Sequence, residues 1–99
     1  MQVRKLDKRY SGYPYFKYFV ELSQSNEINF HNVRAWCWST WGASKSFGDW
    51  EWHHLHRQSI YEHDVCQNSN WCWVDDRVRN RILFKEKEDV ALFKLYHGA

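Results

Sequence analysis

Alanine is scarce, with four residues in 99, and leucine is hardly more common; both shortages weigh against a helical bundle, which draws on strong helix formers. No apolar run approaches the roughly 20 residues that a membrane-spanning helix needs. The opening Met1-Gln2-Val3-Arg4-Lys5 lacks the apolar core of a signal peptide, so no membrane partner is expected. Excess charge is missing as well: 14 basic against 12 acidic residues give a net +2, too mild to demand a nucleic acid or an anionic membrane. There is no C-x-x-C, no G-x-S-x-G, no H-E-x-x-H and no glycine loop shaped to cradle phosphates. The acid pairs Asp75-Asp76 and Asp49/Glu51 read as solvated loop charges. No catalytic constellation is recognised, so neither enzymatic activity nor a cofactor is expected. Three cysteines, an odd number without a signal core, read as free thiols of a reducing compartment.

What the chain has is aromatic rings, 19% of its residues. Six of the seven tryptophans fall in three triplets, Trp36-Cys37-Trp38, Trp50-Glu51-Trp52 and Trp71-Cys72-Trp73; the seventh is Trp41. A spacing of two puts both indoles on one face of a strand, whereas on a helix it turns them about 200° apart. Read as strands, the triplets would pave one sheet face with indoles and supply the volume that aliphatic residues do not. Each ring buries about 150–250 Å². Ninety-nine residues make a single domain, 1–99.

Residues 1–14 form a basic, tyrosine-rich arm or edge segment with a turn at Ser11-Gly12 and the single proline, Pro14. From Tyr15 the chain alternates, with Phe16, Tyr18, Val20 and Leu22 on one side of a strand and Tyr15, Lys17, Phe19 and Glu21 on the other. A second strand is expected over 33–41, a loop over 42–49, a third strand from Trp50 to about Leu55 and a short helix near 60–66. That last element follows from the capping-box spacing of Ser59 and Glu62. Asn68-Ser69-Asn70 is a turn, and strands follow from Trp71 to Val74 and from Arg81 to Lys85. Glu86 to Tyr96 reads as a closing helix, with acids at its start and Val90, Phe93, Leu92 and Tyr96 at helical spacing. The fold class is α+β: an antiparallel sheet of four to five strands with the C-terminal helix packed on one face.

Three groups of residues could bind something. Trp41, outside the triplets and beside Gly42, is the expected exposed indole; with Tyr13, Tyr15, Lys45 and Phe47 it makes a candidate partner-binding set. Arg77, Arg79, Arg81 and Lys85 share one side of a continuous strand and could track the phosphates of a single-stranded nucleic acid. The histidines His53, His54 and His56 lead to a weaker metal set, His63, Cys66 and Cys72, in which only His63-x-x-Cys66 has the close spacing of paired zinc ligands. His53-His54 has the form of an HNH-nuclease opening, but the glycine-rich turn and a downstream helical His or Asn are missing. The basic set also has a bland reading, a solvated strand face with turn residues, and the triplet indoles have one as cross-strand core.

Lys8-Arg9-Tyr10-x-Gly12-Tyr13-x-x-Phe16, Val33-Arg34-x-Trp36-Cys37-Trp38-x-Thr40-Trp41-Gly42, Asn70-Trp71-Cys72-Trp73, Arg81-Ile82-x-Phe84-Lys85 and Phe93-Lys94-Leu95 together resemble small uncharacterised proteins of tailed bacteriophages, marine and cyanophage ones in particular. The resemblance implies a phage origin and a setting in the host cytoplasm or the virion, and it brings no activity, cofactor or catalytic residue. The expected function is a non-enzymatic interaction module for a protein of the host or the virion, with self-association left open. The alternative is a single-stranded nucleic-acid binder.

Overall fold

The computed structural model describes residues 2–10, 12–22, 27–55, 68–75 and 80–97. Along the chain run β1 (Gln2–Lys5), β2 (Tyr18–Leu22), α1 (Glu27–Trp41), α2 (Phe47–Leu55), β3 (Trp71–Asp75), β4 (Asn80–Phe84) and α3 (Lys87–His97). The four strands form one antiparallel sheet in the order β1-β2-β4-β3. The α+β class and the closing helix are as the sequence predicts. The expected helix near 60–66 lies outside the described residues.

Both sheet faces are covered, and the register shows how. Val20 opposes Ile82 and Tyr18 opposes Phe84 across β2 and β4; Trp71 and Trp73 oppose Phe84 and Ile82 across β3 and β4. This face packs against Phe30, Val33 and Cys37 of α1 and Val90 and Phe93 of α3. Phe19, Leu83 and Cys72 point the other way, into a second cluster with Leu6, Phe16, Phe47 and Trp50. Strand β4 lies between the two and is buried along its whole length. Phe16 was expected on the Val20 side of a longer strand. Instead its N–H donates to the Gly12 carbonyl at 2.8 Å in the turn before β2, and its ring joins the second cluster.

The strands expected over 33–41 and 50–55 are the helices α1 and α2, and the indole pavement falls with them. Phe30, Val33, Cys37 and Trp41 recur every three or four residues and set a helical apolar stripe. An extended backbone would have put Arg34 on the same face as Trp36 and Trp38. Gly42 stops α1: at φ +94° it takes the left-handed conformation, and its N–H donates to the Trp38 carbonyl at 2.9 Å. At α2 the Ser46 carbonyl accepts the first helical bond, from the Trp50 N–H at 2.8 Å, and the Ser46 hydroxyl donates to the Asp49 carboxylate at 3.3 Å, so the loop expected to reach residue 49 ends at Ser46.

Winding the first two triplets into helices separates their rings. Trp36 turns towards α3, meeting Tyr96 at 5.1 Å and His97 at 4.6 Å, while Trp38 stays 50% exposed. Trp50 is buried and Trp52 is 54% exposed. Only Trp71 and Trp73 remain side by side on a strand, centroids 5.6 Å apart. We predict that Phe93→Ala, which empties a fully buried ring position, lowers stability by about 3–5 kcal/mol. Trp38→Ala should change it by no more than about 0.5 kcal/mol, as expected for a surface position. Urea unfolding of the two variants distinguishes this arrangement from one in which all the triplet indoles are interior.

Candidate functional site

Trp38, the most exposed of the three tryptophans of α1, stands over a groove of about 460 Å³ lined by His31, Arg34, Ala35, Trp38, Ser39 and Trp73. Five of these lie on α1 at spacings of three, one, three and one, which gathers them on one side of the helix. That side faces away from Trp36 and α3 and overhangs β3, the edge strand that supplies Trp73. The position of α1 is set at its C-terminal end. The Trp71 indole N–H donates to the Gly42 carbonyl at 2.8 Å, and the Asn68 amide donates to the Trp41 carbonyl at 2.6 Å. The buried Ser44 hydroxyl donates to the Trp71 carbonyl at 2.7 Å, and Ser46 bridges to Trp73 in parallel register.

Arg34 is the electrostatic centre of the groove. Its guanidinium carbon lies over the Phe30 ring at 4.8 Å and over the Trp73 ring at 5.2 Å. Each such contact contributes about 0.5–2 kcal/mol according to how dry it is. Its Nε is buried and meets no hydrogen-bond acceptor among the described residues, a condition that costs about 1–3 kcal/mol. None of the described lining residues is acidic. His31 and Ser39 stand two turns apart, roughly 12 Å along the axis, too far to work as a base and its nucleophile.

The residues picked from sequence are scattered by the fold. Trp41 is half-buried, edge-on to Trp36 at 5.2 Å and to Phe84 at 5.5 Å, and its side chain hydrogen-bonds Asp89. It belongs to the core and is not the exposed indole of the chain. Phe47 is buried against Phe16 and Trp50, and Tyr15 packs on Trp50 at 5.0 Å, on the opposite side of the sheet from Trp41. Lys45 is half-buried, and only Tyr13 is well exposed. Of the basic set, Arg77 and Arg79 lie outside the described residues and Lys85 is exposed. Arg81 is buried, lies over Phe19 at 4.6 Å and Tyr10 at 5.2 Å, and pairs with Glu21 at 3.4 Å, so it is no open phosphate contact. His63 and Cys66 lie outside the described residues, and Cys72 is sealed in the second core. Among the described residues no three His, Cys, Asp or Glu side chains converge to hold a metal. A strand over 33–41 hides the groove's own residues by placing Arg34 and Ala35 on opposite faces; the signal that reveals them is the three-and-four spacing of Phe30, Val33, Cys37 and Trp41.

Comparison of the chain with family models, with curated proteins and with solved structures gives no match.

Burial pushes the Cys37 thiol up to about 12 and the Cys72 thiol well above its ordinary value. Neither should form the thiolate that attacks an alkylating reagent. Mass spectrometry after brief iodoacetamide treatment should find both unmodified in native protein and both modified in urea. His97 is held below its ordinary value by burial beside Trp36 and Phe93, with Nε2 lacking a partner among the described residues. A group lowered in this way is protonated more readily in the unfolded chain. Stability should therefore fall as pH drops through about 6.5 and level off below the folded value. His97→Phe should flatten that part of the urea-midpoint profile.

Proposed function

We propose that the chain is a non-enzymatic interaction module that holds a protein partner in the groove between α1 and β3. The observation that carries this reading is the convergence of Trp38, Trp73 and Arg34 on one concave surface. Tryptophan and arginine are the side chains most enriched where binding energy concentrates. A cavity of this size suits one or two anchoring side chains. The resemblance to tailed-phage proteins supports a partner from the host or the virion, met in the host cytoplasm or on the particle. Among the described residues no helix is long and apolar enough to cross a membrane.

The competing reading, a single-stranded nucleic acid stacked on the same indoles, is weakened by the burial and pairing of Arg81. Affinity capture from a bacterial lysate, with and without nuclease, separates the two. A protein retained after nuclease, lost with Trp38→Ala and kept with Trp52→Ala, is the expected result. Capture that vanishes with nuclease, or that ignores Trp38, overturns the proposal.

A further inference from the structure

The geometry points to a specific occupant for the groove: a short extended peptide stretch of the partner, with one carboxylate beside one large apolar side chain. This rests on the groove being the partner-binding surface. The chain itself shows what an arginine in such a setting takes. Arg81 and Arg34 are built alike, each with its guanidinium over two aromatic rings at 4.6–5.2 Å. Arg81 directs its Nε to the Glu21 carboxylate at 3.4 Å, while Nε of Arg34 meets no acceptor among the described residues. Nε is buried out of a ligand's reach, so Arg34 meets the groove with the terminal N–H groups of its guanidinium, and the planar acceptor matching that pair is a carboxylate.

The remaining lining says what accompanies the charge. Among the described lining residues His31 is the only other ionisable one, and none is an acid that would repel an anion. Ala35 leaves space beside the half-exposed Trp38, so an aromatic or large aliphatic neighbour fits there. From His31 to Ser39 the helix rises roughly 12 Å, the reach of three or four extended residues at about 3.3 Å each. A single-stranded nucleic acid would ask for a row of cations along that length. Among the described residues the groove wall has one guanidinium and one imidazole.

The test uses the full chain labelled with nitrogen-15 and four probes. They are a terminally blocked peptide with one glutamate next to one phenylalanine, its glutamine counterpart, inorganic phosphate and oligothymidylate. Indole N–H signals of Trp38 and Trp73, assigned through Trp38→Phe and Trp73→Phe, and the Nε–H signal of Arg34 report occupancy. The glutamate peptide should shift all three saturably and bind at least about tenfold more tightly than the glutamine peptide, as a charge-assisted bond requires. Arg34→Lys, which keeps the charge but lacks the planar edge, should lose most of that preference. Ala35→Trp alters an exposed position, leaves Arg34 in place and should block the peptide without lowering the thermal midpoint.

Equal affinity for the two peptides, no saturable shift with the glutamate peptide, or a response to phosphate or oligothymidylate in its place overturns the inference. Lysate capture that depends on Trp38 together with equal peptide affinities would sink only this selectivity. Capture indifferent to Trp38 would sink the module reading itself.

Discussion

The placement of the groove depends on how the Trp71 side chain and backbone are tied down. The indole is fully buried between the sheet and α1, and its N–H donates to the carbonyl of Gly42, the residue that stops the helix. Its own carbonyl accepts from Ser44 two residues further on. One residue thus fixes the end of a helix, the loop after it and the edge strand as a unit. An indole in an apolar interior must find an acceptor for its N–H or bear the cost of leaving it unmet. The Gly42 carbonyl meets that need, and in doing so it brings α1 down beside β3. Because Trp73 is two residues along the same strand, the groove wall inherits that placement.

A second constraint is the shortage of aliphatic volume. A sheet covered on both sides needs two cores, and this chain fills them mainly with rings: Trp71, Phe84 and Phe93 on one side, Phe16, Phe19, Phe47 and Trp50 on the other. Strand β4 contributes to both, which is why Asn80 and Arg81 are buried with their apolar neighbours. The alternation of β2 and the mixed run of β4 were legible in the sequence because strand periodicity dominates there. So was α3, whose acidic first turn and three-and-four spacing agree with each other.

Helices α1 and α2 were illegible for a definable reason. Tryptophan favours strands, and two of them separated by one residue satisfy the strand period by themselves. That local preference competes with a longer pattern, Phe30, Val33, Cys37 and Trp41, which fits only a helix ended by Gly42. The choice of period decides the site as well. Taken as a strand, the segment makes Trp41 the odd, exposed indole; wound into a helix, it makes Trp41 part of the interior stripe and releases Trp38. Spacing tells which residues share a face, but only after the period has been decided over more than one turn.

The two ring-stacked arginines differ in a way that follows from where each sits. Arg81 is on an inner strand, and the antiparallel register sets Glu21 directly opposite it on β2. The sheet supplies the carboxylate without any further device. Arg34 is on a helix above β3, the last of the described strands, so among the described residues no further strand presents an acid in register. The residue beneath it is Trp73, which can hold a guanidinium by its ring face but can accept no hydrogen bond from it. An arginine placed at a sheet border on aromatic support thus keeps its charge in place with no acceptor for Nε among the described residues, whereas the same arrangement one strand inward is satisfied by the fold itself.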